Sequence, residues 1–253
     1  MLWLRAWKGR RRRYTVVKKS LRSQNYFIHL MAGILFIISA PSGSGKSTLV
    51  NEVRRLVEGL EFSVSYTTRA PRGSEEDGRE YHFTTKENFE RMIAAGEFLE
   101  YATVFGDNYY GTAVSALDQA RENGHDLLLD IDVQGALQVM EKMPSAVSIF
   151  ILPPSPQVLE MRLRNRSQAE GVTQEDVIER RLSQARNELL KIGDYKYALV
   201  NDQLDLAASE MRAIVLRERG EEASAETAAR CLTTARSARL EAALSNFLGP
   251  QAE

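Results

Sequence analysis

The sequence contains very little cysteine. Cys231 is the single cysteine among 253 residues, so the chain cannot close an internal disulfide or build a cysteine-rich zinc site. His29, His82 and His125 are the only histidines, and they lie far apart without partners at ligand spacing, which argues against a histidine metal centre. These absences fit a reducing compartment, and we expect a cytoplasmic protein.

Long apolar runs are also missing. No stretch approaches the length of about 20 apolar residues that a membrane-spanning helix needs, and the N-terminal segment has no apolar core of the kind found in secretory signals. With 43% hydrophobic and 26% charged residues, the composition is that of a globular enzyme with one substantial core. We therefore expect no membrane partner.

Acidic residues are absent from the start of the chain. Glu52 is the first of them, whereas residues 1–32 hold nine Lys and Arg, four of them in a run at 10–13. Such a segment is compatible with an organelle transit peptide, with a tail for nucleic acid or another anionic surface, or with translation from a start codon upstream of the true one. We favour the last interpretation, because Met31 directly precedes the first convincing strand, and we expect no nucleic-acid partner.

Strand and helix patterns alternate along most of the chain. Residues 33–39 form an apolar run typical of a buried parallel strand, and a glycine-rich turn leads from it into a helix. Residues 62–112 differ, because short β-prone pieces are separated there by turn residues, with one short helix whose Thr84 and Glu87 have capping-box spacing. The alternation then resumes to about residue 219. The pattern predicts an α/β fold with a central parallel sheet flanked by helices and a small inserted domain.

A C-terminal extension, residues 220–253, follows the last strand and helix. It begins with acidic residues and continues with apolar residues at helical spacing. These are Leu232, Leu240, Ala243, Leu244 and Phe247. The spacing predicts an amphipathic helix that packs on the body or on a partner subunit, with a disordered tail as the alternative. The oligomeric state stays open, with a homodimer as one alternative.

The strongest chemical signal is a glycine-rich loop between the first strand and the first helix. It consists of Ala40, Pro41, Ser42, Gly43, Ser44, Gly45, Lys46, Ser47 and Thr48. Such a loop directs backbone N–H groups at a polyphosphate, while Lys46 neutralises phosphate oxygens and Ser47 can ligate Mg²⁺. The phosphate-loop pattern has glycine at position 40, where this chain has Ala40. Alanine is the smallest replacement and the later residues are all present, so we expect a working phosphate loop, which by itself indicates only an NTP-binding protein.

Charged residues further along suit a second phosphorylated ligand. Arg69 and Arg72, with Tyr81 downstream, form a cationic, hydroxyl-bearing group that suits a phosphate monoester. Asp130 and Asp132 alternate at the end of an apolar strand, where an unpaired acid would be costly. We therefore expect a ligand, a metal or an arginine to partner them.

These segments resemble the guanylate kinase family. The resemblance spans about residues 33–219 in order and spacing. It is carried by SYTTRAPR at 65–72, followed by Glu75, Gly78 and Tyr81, and by FLEY at 98–101, NYYGT at 108–112, LDIDVQG at 129–135 and VND at 200–202. It implies a P-loop kinase of purine nucleotide metabolism that moves the γ-phosphoryl group of ATP, with Mg²⁺, onto GMP and dGMP.

The resemblance also implies which residues bind the acceptor in the insert, about residues 62–112. The set that holds the GMP phosphate comprises Ser65, Arg69, Arg72, Tyr81 and Tyr110. Glu100 and Asp130 lie at the guanine edge, where N1 and the 2-amino group are donors, with Thr112 nearby. Gly111 belongs to the same binding set.

The core, residues 33–61 and 113–219, is expected to bind the donor. Asn201 joins the phosphate loop in binding ATP, and Ser47 and Asp132 are the predicted Mg²⁺ ligands. A lid at about residues 163–180 closes on the phosphates. The catalytic cations implied are Lys46, Arg162, Arg166 and Arg181, because phosphoryl transfer depends on positive charge around the migrating group.

Two other functions compete with this interpretation. A P-loop kinase with another acceptor, such as AMP or a sugar bisphosphate, has no need of Glu100 together with Asp130. A non-catalytic binding module of the guanylate-kinase type has no need of Lys46 and Ser47. We therefore predict a nucleotide kinase that is specific for GMP.

Overall fold

The computed structural model describes residues 33–104, 108–169 and 175–249. The basic head, residues 1–32, lies outside the described residues, as do residues 105–107, 250–253 and the part of the predicted lid at 170–174. Within the described part of the chain, no helix is both long and apolar enough to cross a membrane.

The secondary structure alternates between strands and helices. In chain order the strands are β1 (Leu35–Ser39), β2 (Leu60–Phe62), β3 (Tyr66–Thr67), β4 (His82–Phe83), β5 (Phe98–Val104), β6 (Asn108–Ala113), β7 (Asp126–Asp130), β8 (Val147–Leu152) and β9 (Tyr197–Val200). The helices are α1 (Lys46–Leu56), α2 (Lys86–Ala94), α3 (Val114–Glu122), α4 (Val133–Lys142), α5 (Pro156–Ala169), α6 (Glu175–Leu189), α7 (Leu204–Glu218), α8 (Ala225–Arg230) and α9 (Ala238–Leu248).

A five-stranded parallel sheet forms the centre of the molecule. Its strands lie in the order β2, β7, β1, β8, β9, and every neighbouring pair is parallel. Successive side chains of a strand point to opposite faces, so Ile37 and Ile38 enter two different apolar clusters. Helices α3, α4, α5, α6 and α9 cover one face, and α1, α7 and α8 cover the other. The predicted α/β class with a central parallel sheet is confirmed.

The insert is a separate four-stranded sheet packed against α2. Its strands lie in the order β4, β3, β6, β5, with β5 and β6 antiparallel. Phe89 of α2 stacks on Phe98 and Tyr109, with ring centroids 4.3 and 5.1 Å apart. Helix α2 begins one residue later than the capping-box spacing predicts, because Thr85 caps the Asn88 N–H while the Thr84 hydroxyl accepts from the Asn88 side chain. A small aromatic core thus supports the insert.

The C-terminal extension packs on the body of the same chain. The Ala198 N–H donates to the Cys231 carbonyl at 2.8 Å and the Thr233 N–H to the Lys196 carbonyl at 3.1 Å, so the extension covers the outer edge of β9. An open strand edge would present unpaired backbone groups. Where the spacing predicts one helix, the structure contains α8 and α9, separated by this edge-covering segment.

Helix α9 completes the apolar cluster on its face of the sheet. Leu240, Ala243 and Phe247 are all buried in that cluster. The Ser237 hydroxyl caps the helix by accepting from the Leu240 N–H. The extension is therefore part of the folded core.

The burial of Phe247 predicts a large effect on stability. Phe247→Ala should lower the free energy of unfolding by about 3–5 kcal/mol, because it removes a ring from a packed cluster. Leu190→Ala, at a side chain that is 65% exposed, should cost less than about 0.5 kcal/mol. Urea denaturation of both variants measures the difference. Equal, small losses would show that the extension does not unfold together with the core.

Candidate active site

The glycine-rich loop links the end of β1 to the start of α1. Gly43 and Gly45 have φ values of 90° and 82°, in the left-handed region that favours glycine. A Cβ at Gly45 would lie 2.6 Å from the side-chain nitrogen of Asn201. Gly45 is also the N-cap of α1 and offers no side-chain cap, so the N-terminus of the helix is left to bind an anion.

Two predicted site residues, Asn201 and Arg162, donate hydrogen bonds to the backbone of this loop. The Ser44 carbonyl accepts hydrogen bonds from the Asn201 side-chain amide at 2.8 Å and from Arg162 Nη1 at 3.1 Å. Arg162 Nη2 also donates to the Asn201 carbonyl at 3.0 Å. Burial lowers the pKa of Arg162, although the charge of Asp202 opposes the shift. Both residues therefore fix the backbone of the loop.

Lys46 forms an ion pair with Asp130. The pairing follows from the sheet, because Asp130 ends β7 beside Ile38 of β1, and the carboxyl ends of parallel strands meet at one edge. The family resemblance implies that Asp130 lies at the guanine edge. The structure pairs its carboxylate with Lys46 of the phosphate loop, and its place at the guanine edge stays a prediction. Burial lowers the pKa of Lys46 to about 8, against the opposing charges of Asp132 and Glu188.

The two predicted Mg²⁺ ligands are both oxygen donors. Ser47 lies exposed in the first turn of α1, and Asp132 caps α4 by accepting from the Gly135 N–H at 2.7 Å. No group of three or more His, Cys, Asp or Glu side chains among the described residues could hold a metal. Mg²⁺ usually takes one or two protein oxygens and completes its shell with water and phosphate. The donor set fits such an ion.

Among the buried side-chain polar atoms that have no hydrogen-bond partner within the described part of the chain, two belong to predicted site residues. They are the hydroxyl of Ser44 in the loop and Nη1 of Arg181 on α6. Buried polar atoms are normally paired, and an unpaired guanidinium nitrogen suits an anionic ligand such as phosphate. Arg166 lies on α5, but its side chain lies outside the described part of the structure.

Arg69, Tyr81 and Tyr110 come together in the insert. Arg69 Nε donates to the Tyr110 hydroxyl at 3.2 Å, and its guanidinium lies 5.4 Å from the centroid of the Tyr81 ring. Glu75 holds the same guanidinium in a two-point ion pair, at 2.9 and 3.0 Å. The side chain of Arg72 is exposed, and only its backbone N–H bonds to Glu75. The structure thus supplies one oriented arginine and one free arginine.

Glu100 is a buried carboxylate at the other end of the insert. It is 4% exposed, and its Oε1 accepts from the Thr112 hydroxyl at 2.8 Å. Ser65 lies beside Thr112, with the two hydroxyl oxygens 3.4 Å apart. Burial raises the pKa of Glu100 to about 7, although the Thr112 hydrogen bond lowers it.

Two glycines, Gly135 and Gly111, lie so close to Glu100 that a larger residue at either position would contact it. A Cβ at Gly135 would lie 2.7 Å from Glu100 Oε2, and one at Gly111 would lie 2.9 Å from the Glu100 carbonyl. Gly111 is therefore needed for the pairing of β5 with β6, and Gly135 for the position of the carboxylate.

Sequence reasoning missed three contributors to the site. Glu75 orients Arg69, Gly135 leaves space for Glu100, and Glu188 of α6 is a half-buried carboxylate whose charge acts on Lys46. Burial raises the pKa of Glu188, although the hydrogen bond from Gln184 opposes the shift. Glu75 and Gly135 stand within the motifs that carry the resemblance, whereas no local pattern marks Glu188.

Known proteins match most of this chain. The family model described as guanylate kinase matches residues 33–218. A guanylate kinase of Koribacter versatilis is 59% identical over 189 residues, which cover 75% of this chain and 80% of the relative. One of Vibrio parahaemolyticus is 49% identical, covering 74% and 89%.

A solved structure supports the same grouping. The crystal structure of guanylate kinase from Anaplasma phagocytophilum matches with a TM-score of 0.58 and 31% identity, over 87% of this chain and 98% of that one. The chain belongs to the guanylate kinase family.

Proposed function

We propose that this chain phosphorylates GMP, and dGMP, with Mg-ATP as the donor, giving GDP (or dGDP) and ADP. The observation that carries the proposal is the presence of two different anion sites in one molecule. One is the phosphate loop with Lys46, and the other is the insert with Arg69 at one end and the buried Glu100 at the other. An acceptor with a phosphate and a donor-rich base edge fits the second site.

The donor half of the reaction belongs to the loop. Its backbone N–H groups and the start of α1 bind the ATP phosphates, with Lys46 as the neighbouring cation. Ser47 and Asp132 would hold Mg²⁺, which neutralises phosphate charge when bound. With a pKa of about 8, Lys46 is mainly protonated at neutral pH and therefore carries its charge.

The acceptor half belongs to the insert. Arg69, already fixed by Glu75 and Tyr110, offers hydrogen bonds to the GMP phosphate, and the exposed Arg72 and Tyr81 complete that set. The Glu100 carboxylate accepts from guanine N1 and the 2-amino group, with Thr112 beside it. Adenine has an acceptor at N1 and no 2-amino group, so it gives this buried carboxylate neither of the two donors that guanine offers.

The remaining cations act on the transferring group. Arg181, whose Nη1 lacks a partner among the described residues, offers hydrogen bonds to phosphate oxygens, and the family resemblance assigns Arg166 to the same role. Arg162 holds the loop backbone, and we assign it to positioning. We place this reaction on dissolved nucleotides in the cytoplasm, with no nucleic acid or membrane taking part and with a homodimer as one possible assembly.

Acceptor specificity tests the proposal directly. A coupled assay with Mg-ATP and, in turn, GMP, AMP, CMP and UMP should show strong preference for GMP, since a site built on polar recognition discriminates by roughly 10⁴. Equal use of AMP would contradict the assignment of the insert.

Glu100→Gln should impair GMP and leave ATP unaffected. The loss of the charged acceptor should cost about 2–3 kcal/mol in kcat/KM for GMP, with the KM for ATP nearly unchanged. Glu97→Gln, at a side chain 42% exposed that pairs with Arg91, is the matched control and should behave like the wild type. A defect that falls mainly on the KM for ATP would show that Glu100 is not the residue that recognises the guanine base.

The raised pKa of Glu100 predicts a pH dependence for GMP. The ionised form accepts the guanine donors, and this form is lost as pH falls through about 7. The kcat/KM for GMP should therefore fall about tenfold per pH unit below that value. Measurements of wild type and Glu100→Gln between about pH 5.5 and 8 separate this titration from that of the substrate. Parallel profiles for the two proteins would contradict the role of Glu100.

Gly135→Ala should displace Glu100 without unfolding the protein. The new Cβ would meet Glu100 Oε2 at 2.7 Å, and alanine itself favours a helix. We expect the KM for GMP to rise roughly tenfold because the carboxylate is misplaced, while the melting temperature changes little. Gly193→Ala, where an added Cβ meets no atom within 4 Å, is the control. An unchanged KM for GMP would show that Glu100 relaxes freely.

A further inference from the structure

The family model ends at residue 218, yet a side chain beyond that point reaches toward the donor site. Arg239, in the first turn of α9, forms an ion pair with Asp202 at 2.6 Å and another with Glu210 at 2.6 Å. Its Nη2 also donates to the carbonyl of Val200. One guanidinium from the extension therefore joins the end of β9 to α7.

The segment that Arg239 holds is the one that supports the phosphate loop. Val200 ends β9, and Asn201 and Asp202 follow it directly. Asn201 is 5% exposed, and its side-chain amide donates to the Ser44 carbonyl. Arg239 is thus connected to the loop through its hydrogen bonds to Val200 and Asp202, the backbone of residues 200–202, and the hydrogen bond from Asn201 to Ser44.

Arg239 also separates two acidic groups. Burial alone would raise the pKa of Asp202, but the hydrogen bonds from Arg239 and from the Gln203 N–H outweigh it and lower that pKa. Burial raises the pKa of Glu210, and the charge of Asp202 adds to this shift. Without Arg239 the two carboxylates would repel each other, and the turn after β9 would lose its anchor.

The extension is fixed independently of this arginine. Its backbone pairs with β9 through Cys231 and Thr233, and α9 buries Leu240 and Phe247. A variant that lacks only the Arg239 guanidinium should therefore keep the extension in place. This separation makes an effect on the loop measurable without loss of the fold.

We propose that Arg239 is a positioning residue for the nucleotide donor, which acts from the C-terminal extension by fixing residues 200–202 and, through Asn201, the phosphate loop. It touches neither substrate. The proposal rests on the proposed function in one respect, the binding of ATP by that loop.

The test compares Arg239→Gln and Arg239→Ala with Arg230→Ala. Arg230 belongs to the same extension but is 70% exposed, and its ion pair among the described residues is with Glu226 on the surface of α8. We expect both Arg239 variants to raise the KM for ATP roughly threefold to tenfold, with the KM for GMP within about twofold of wild type. Arg239→Lys should restore part of the loss. Arg230→Ala should match the wild type.

Two controls make the outcome decisive. If Arg239 acts through Asp202, then adding Asp202→Asn to Arg239→Gln should raise the KM for ATP no further than the single changes do. Binding of a non-hydrolysable ATP analogue, measured by calorimetry without GMP, should weaken in the same variants. This measurement holds even if the wild type failed to phosphorylate GMP, which would overturn the proposed function alone.

Other results would overturn the proposal. A purely structural arginine would lower the amount of folded enzyme, and hence the apparent kcat, with both KM values unchanged. A general distortion would raise the KM for ATP and for GMP alike. Either result, in variants that circular dichroism shows to be folded, would remove Arg239 from the donor site.

Discussion

The carboxyl edge of the parallel sheet is the constraint on which the donor site depends. Five strands run in one direction, so all their carboxyl ends meet at one edge, and the chain leaves β1, β7 and β9 there as three loops. The phosphate loop follows β1, Asp130 ends β7, and Asn201 follows β9. Asp130 and Asn201, which are distant from the loop in sequence, thereby come within bonding distance of it. The apolar clusters on both faces hold these strands in register, so packing far from the ligands sets the geometry of the site.

Patterns that are local in sequence could be predicted, and contacts made across elements could not. The buried strand, the glycine-rich loop and the insert all followed from periodicity and turn residues. The ion pair of Lys46 with Asp130 did not, because it depends on which strand lies beside β1. The pairing of Glu75 with Arg69 could not be predicted either, because the turn between them has no repeating residue pattern that indicates which side chains meet. The start of α2 was misplaced by one residue because Thr84 and Thr85 offer the same hydroxyl to the helix.

Burial of the Glu100 carboxylate costs desolvation free energy, and a ligand that donates hydrogen bonds to it can offset that cost. A carboxylate that is 4% exposed loses its hydration, and a single hydroxyl, that of Thr112, replaces only part of it. The charged form is therefore poorly stabilised in the empty site, which the raised pKa reflects. A ligand with two adjacent donors restores what burial removed, whereas a ligand without them does not. Under the proposed function, discrimination between purines then comes from this incompletely paired carboxylate as much as from contacts with the correct base.

The C-terminal extension lies beyond residue 218, where the match to the family ends, yet it packs against the elements that support the phosphate loop. An edge strand needs a cover, and segment 231–233 supplies one by pairing with β9. Once that cover is in place, the adjoining helix necessarily lies near the end of β9, where the support of the phosphate loop is found. An arginine on its first turn can then bond to Asp202 with little additional ordering, because packing has already fixed its backbone. Protection of the edge and support of the loop are thus two consequences of one docking arrangement.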